Sequence, residues 1–184
     1  MRMKRFAMQK LLDWKEDPHR LPLIIRGARQ VGKTWLMKEF GKLYYTDTVY
    51  INFDSNSRMA ELFASDLDTD RLIMGLELYV GHKIDPNNSL LVFDEVQEVP
   101  RALASLKYFY ENAPQFHIVC AGSLLGIALH QVGDGQRGLL AGAFRIQLTG
   151  FGKEFCGLSR VFGHHLFFND DIKMGNSSPQ FFLF

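Results

Sequence analysis

A chain of 184 residues, 47% apolar and 22% charged, has enough apolar sequence for one domain with a buried core, with or without a tail. A formal net charge of +1 speaks against an overall electrostatic attraction to nucleic acid or to an acidic membrane. Cys120 and Cys156 stand far apart and in no CxxC pair, which speaks against a zinc site or a disulfide framework and fits a reducing, cytoplasmic setting.

The chain opens with charge rather than a continuous apolar stretch, so no signal peptide is expected. No apolar run approaches the roughly 18 residues of a membrane-spanning helix. Residues 5–16 read as an amphipathic helix, with Phe6, Leu11, Leu12 and Trp14 among charged residues, stopped by Pro18. Leu21 to Ile25 reads as a short buried strand. A glycine-bounded loop follows, then a helix from about Lys33 to Phe40 with Gly41 as its stop. Thr48 to Phe53 reads as a second strand. Helices are expected over 57–65 and 69–80, the second capped by Asp68 or Thr69, striped by Leu72, Leu76 and Val80 and stopped by Gly81. Pro86-Asn87-Asn88 is a turn, and Leu90 to Phe93 a third strand ending at Asp94-Glu95. Pro100 opens a helix whose Leu103, Leu106 and Tyr110 share a face, and Pro114 closes it. Ile118 to Ala121 is a fourth strand, followed by Gly122-Ser123 and a helix from Leu124 to His130. Apolar strands alternating with helices predict an α/β fold, a parallel sheet covered on both faces with every strand C-terminus along one edge. Ligands of such sheets bind at that edge.

Gly27-Ala28-Arg29-Gln30-Val31-Gly32-Lys33-Thr34 matches G-x-x-x-x-G-K-[ST] at each fixed position, between a strand and a helix. Gly27 and Gly32 let the backbone curl so that successive N–H groups face a phosphate chain, and the helix N-terminus adds partial positive charge. Lys33 can reach the β- and γ-phosphates, and the Thr34 hydroxyl can ligate Mg²⁺. Asp94, at the end of a buried strand, is suited to hold Mg²⁺ directly or through water, and Glu95 to polarise an attacking water. In isolation such an acidic pair is equally a solvated strand end. Ser123 can sense or orient groups at the γ-phosphate if its strand lies between the other two, or simply cap the next helix. Arg26 and Arg29 flank the loop; His164-His165 has no third ligand at metal spacing. Trp14, Trp35 and Tyr108 to Tyr110 read as packing rather than as a base-stacking platform.

Leu23 to Thr34, Phe93-Asp94-Glu95-Val96-Gln97-Glu98 and Ala121-Gly122-Ser123-Leu124-Leu125-Gly126, in this order and spacing, resemble the three signature segments of a large prokaryotic family of AAA-type ATPases whose members carry a C-terminal domain of unknown function. The resemblance covers about residues 5–130. It implies a three-layer P-loop NTPase of the additional-strand type with sheet order 5-1-4-3-2, which puts Ser123 at the sensor position. It also implies that Gly27 to Thr34 bind the nucleotide, Thr34 and Asp94 the Mg²⁺ (Walker A and Walker B), and that Glu95 is the catalytic base. The domain reading is a helical lead-in over 1–20, the ATPase core over 21–150, and a tail over 151–184. Beyond Gln131, Gly and Phe become frequent, charges thin out, and only Phe144 to Leu148 still reads as a strand. This loss of periodicity predicts a truncated or frame-shifted copy whose end is not native family sequence.

The function expected is ATP binding and hydrolysis with Mg²⁺. The alternative is a slow nucleotide-dependent switch; a small-molecule kinase lacks an acceptor pocket and an Arg-rich lid. AAA-type proteins usually take an arginine finger from a neighbouring subunit, so a homo-oligomer or protein partner is expected, with Arg137 and Arg145 as candidates by position.

Overall fold

The computed structural model describes residues 2–122 and 144–148, with side chains over 7–122. The elements in chain order are α1 (Arg2–Glu16), β1 (Leu23–Gly27), α2 (Lys33–Tyr44), β2 (Asp47–Asn52), α3 (Ser57–Ala64), α4 (Thr69–Val80), β3 (Ser89–Asp94), α5 (Pro100–Asn112), β4 (His117–Gly122) and β5 (Phe144–Leu148). A single 3₁₀ turn, Val96–Glu98, joins β3 to α5. The local signals act as polar chemistry requires. Asn56 accepts from the Met59 amide and Asp68 from the Arg71 amide, each satisfying an orphan donor of the first helical turn. Gly81 ends α4 in the left-handed conformation, and Pro100 stands in the first turn of α5.

The five strands form one sheet, ordered β2-β3-β4-β1-β5, with every neighbouring pair parallel. From the β5 side this is 5-1-4-3-2. Alternation along the strands divides the core in two. Ile24, Ile51, Leu91, Phe93, Ile118 and Cys120 pack under α3, α4 and α5. Leu23, Ile25, Leu90, Val92, Val119 and Ala121 pack on the other face, with Leu11 and Trp14 of α1 and Leu36, Met37 and Phe40 of α2. The result is a three-layer α/β fold. Both faces are buried, which is why the strands read as continuous apolar runs.

Three expectations are corrected by the tertiary packing. β1 begins at Leu23, two residues later than the apolar run, and continues through Arg26 and Gly27 because those residues pair with β4 and β5. Tyr110 is 41% exposed, and Phe109 takes the buried place beside Leu103 and Leu106. Gly41 lies inside α2, which runs on to Tyr44. It is glycine for want of space: a Cβ there would collide with the Thr48 hydroxyl on β2 and stand 2.7 Å from its Cγ2. Gly41→Ala is expected to cost about 1–3 kcal/mol by overpacking, against up to about 1 kcal/mol gained in helix propensity. A urea midpoint equal to or above that of the wild type would show that helix and strand can part at no cost.

His117, at the start of β4, is buried and bonded through Nδ1 to the Tyr45 hydroxyl at 2.6 Å. Burial first, then the charges of Arg20 and Lys15, lower its pKa from 6.5 to about 4. Above pH 6.5 the ring is neutral in both folded and unfolded chains. Between the two values only the unfolded chain takes the proton, so stability falls as the pH drops, by roughly 2–3 kcal/mol. Urea midpoints at pH 7 and pH 4.5 check this: the drop is expected to shrink in His117→Gln, and an equal drop in both proteins would assign it to other groups.

Candidate functional site

Parallel pairing brings the C-terminal ends of β1, β4 and β3 side by side, with β4 in the middle. The loop from Gly27 to Thr34 therefore leaves the sheet one strand away from β4 and two from Asp94-Glu95. Within the loop, Gln30 (φ 64°) and Gly32 (φ 91°) take left-handed conformations. Nothing lies within 4 Å of where a Gly32 Cβ would stand, so glycine is required there by backbone conformation rather than by space. Such left-handed residues turn consecutive amides toward one side, the backbone form of an anion cradle. Gly32 also heads α2, accepting from the Leu36 amide at 2.9 Å, so the unpaired N–H groups of that helix open onto the same space.

Lys33 is 5% exposed, and its Nζ donates to the Gly27 carbonyl at 2.9 Å and the Ala28 carbonyl at 2.8 Å. Both acceptors are neutral, so among the described residues no carboxylate cancels the ammonium charge. Among the described residues the third N–H meets no acceptor. The buried cation thus stands at the floor of the loop.

The Thr34 hydroxyl donates to Asp94 Oδ2 at 2.6 Å, across 60 residues of sequence. Asp94 is buried and shares its sheet face with Leu90 and Val92, the face that α2 covers. Its Oδ2 also accepts from the Tyr50 hydroxyl at 2.9 Å, and its Oδ1 from the Glu95 amide at 3.1 Å. Burial, then the hydrogen bond to Asp94 and the charges of Asp94 and Glu95, push the Tyr50 hydroxyl well above its ordinary range. It therefore stays a neutral donor at physiological pH.

Glu95 leaves the strand in a left-handed conformation (φ 50°, ψ 42°), a costly one for a side-chain-bearing residue. Its Oε2 accepts from Gln97 Nε2 at 2.6 Å, and the same amide nitrogen reaches Glu98 Oε1 at 3.3 Å. Arg29, Gln30, Gly32, Lys33, Thr34 and Glu95 line one cleft of about 600 Å³. Trp35, Asp54 and Glu98 also line it. Thr34 lines the cleft and its hydroxyl touches the Asp94 carboxylate, a pair of oxygen groups that suits a hard cation such as Mg²⁺. Among the described residues no group of three or more His, Cys, Asp or Glu is placed to hold a metal ion by protein ligands alone.

Ser123 and Arg137 lie outside the described residues, as do Cys156 and His164-His165. Gly122, which precedes Ser123, is the last residue of β4. Arg145 belongs to β5, in register with Ile24.

The model of the AAA domain family matches residues 19–151. The chain belongs to the AAA domain family. The match continues past Gln131, and β5 pairs with β1 over 144–148. The match thus reaches beyond the point where periodicity fades and takes in the strand expected at Phe144 to Leu148, which pairs along β1. Residues 152–184 fall beyond both the match and the described residues. No curated protein matches the chain. Among solved structures, AMPPCP-bound DnaA from Aquifex aeolicus is similar at 18% identity and a TM-score of 0.52, over 80% of this chain and 47% of that one. The replication initiator DnaA bound to AMPPCP and single-stranded DNA is similar at 18% identity and a TM-score of 0.51, over the same shares. At this identity the likeness concerns the fold alone, and the chain spans just under half the length of either DnaA chain. Among the described residues of this AAA domain no helix is long and apolar enough to cross a membrane.

The AAA-domain site contains residues that the motifs do not announce. Trp35, which reads from the sequence as core or edge packing, is 44% exposed on the cleft wall. The motifs give Tyr50 and Gln97 no role of their own. Alternation within Asp47–Asn52 puts Tyr50 on the opposite face from Val49 and Ile51; Gln97 stands inside the segment Phe93 to Glu98 that carries the family resemblance, two residues from Glu95.

Proposed function

We propose that this AAA-domain protein binds ATP with Mg²⁺ and hydrolyses it. The observation that carries the reading is the 2.6 Å bond from the Thr34 hydroxyl to Asp94. Because Thr34 donates its proton to the carboxylate, its oxygen lone pairs remain for a cation. Asp94 Oδ1 keeps acceptor capacity beyond its bond to the Glu95 amide, enough for a metal-bound water. Bound Mg²⁺ would neutralise charge on the phosphates.

The chain's own groups supply the rest. The amides of Gly27 to Gly32 hold the phosphate chain, and Lys33 exchanges bonds to its own loop carbonyls for phosphate oxygens. Glu95 takes the proton of the attacking water as the oxygen bonds to the γ-phosphorus and the ADP oxygen leaves. Ser123, directly after the middle strand, sits in sequence where a hydroxyl can sense the γ-phosphate. The core is read as 21–150, with 1–20 as lead-in and 151–184 as tail.

One observation favours slow turnover and a switch-like use of the bound nucleotide. The Gln97 amide donates to Glu95 at 2.6 Å, a bond that occupies an acceptor position of the carboxylate that would receive the proton of the attacking water. An arginine from a neighbouring copy would then raise the rate on assembly, as an arginine finger does. The net charge of +1 lends nucleic acid no support as the partner, and a C-terminal domain of the family type remains part of the proposal. ATP binding with and without Mg²⁺, followed by single-turnover hydrolysis over a range of protein concentrations, tests the reading. Absence of any ATP affinity would sink it.

A further inference from the structure

The geometry points to Tyr50 as the positioning residue of the Mg²⁺ site, holding the Asp94 carboxylate in the orientation that the metal and its water require. This inference rests on the ATP and Mg²⁺ reading above and assigns a new role within the same site.

Tyr50 reaches Asp94 from the neighbouring strand on a diagonal. It is paired in register with Val92, while Asn52 is the residue opposite Asp94. Diagonal neighbours on one sheet face are within reach of a long aromatic side chain. The hydroxyl meets Oδ2, the same oxygen that accepts from Thr34. Together with the Glu95 amide on Oδ1, this makes three donors around one carboxylate. Thr34 and the Glu95 amide hold one oxygen each, and both come from segments that line or adjoin the loop; the Tyr50 hydroxyl adds a second donor on Oδ2 from a different strand, β2, and so ties the carboxylate to the body of the sheet. The ring is held in turn, with Lys38 Nζ 3.7 Å from its centroid in a cation–π contact. Outer partners of this kind orient metal-binding carboxylates, and their removal weakens metal affinity by roughly 10–100-fold.

The test compares the wild type with Tyr50→Phe, which removes the hydroxyl and keeps the ring. A fluorescent ATP analogue is titrated in EDTA, and then Mg²⁺ is titrated at fixed analogue. The expected result is unchanged affinity in EDTA and a rise of about tenfold in the Mg²⁺ concentration at half-saturation. Lys38→Met, which spares the hydroxyl, should move the Mg²⁺ midpoint far less. An unchanged Mg²⁺ midpoint in Tyr50→Phe overturns the role of Tyr50 and leaves the function reading standing. Loss of analogue binding in EDTA as well would make Tyr50 a packing residue and equally overturn it. A wild type that binds the analogue with no response to Mg²⁺ would remove the metal site, and with it both readings.

Discussion

Lys33→Ala should abolish measurable ATP binding while leaving the fold intact. The side chain is 5% exposed and bonded to two neutral carbonyls of its own loop. A buried cation with no carboxylate partner among the described residues is an unfavourable way to use a lysine for stability alone. In contact with phosphate, each of its charge-assisted bonds is worth about 1.5–3 kcal/mol. Two such bonds correspond to a loss of roughly 100-fold or more in Kd, since each factor of ten is about 1.4 kcal/mol. Stability should change by less, on the order of 1 kcal/mol, because Ala28 is exposed and Gly27 half-buried, so water can replace the lost donor. Isothermal titration with ATP, next to a thermal melt of each protein, measures both. A Kd within about threefold of the wild type would remove Lys33 from the phosphate site.

Glu95→Gln should leave ATP binding nearly unchanged and slow hydrolysis by roughly 10²–10⁴-fold, the usual contribution of a positioned general base. The replacement keeps the size of the side chain and an oxygen able to accept from Gln97. The left-handed backbone at this position is as costly for glutamine as for glutamate, so the strain term cancels. What disappears is the group that takes the proton. Single-turnover release of phosphate, with ATP affinity measured on the same samples, separates binding from chemistry. Equal rates in the two proteins would assign the residual hydrolysis to some other group and leave a nucleotide switch as the better description.

Much of this architecture was legible in the chain. Apolar runs at 23–25, 90–93 and 118–121 carry the three central strands because both sheet faces are covered, and burial on both faces forces an uninterrupted apolar sequence. The caps at Asp68 and Gly81 are local hydrogen-bond chemistry and were legible for that reason. Errors fell where a neighbour, not the segment, decides. Gly41 has the sequence of a helix stop, yet the helix continues because the glycine is needed for the approach of Thr48 on β2. Phe109 and Tyr110 are both aromatic on one helix, and only the face that α5 turns to the core selects which is buried.

The candidate site divides along the same line. The loop from Gly27 to Thr34 is eight consecutive residues joining a strand to a helix, so its backbone shape follows from local conformational preferences and can be read without the fold. Asp94 and Glu95 could be read because a strand end in a parallel sheet has one possible edge. The bond from Tyr50 to Asp94 spans 44 residues and depends on a diagonal offset between β2 and β3. A linear sequence states which faces alternate along a strand but carries no statement of register between strands, so that contact was decided by the tertiary structure alone.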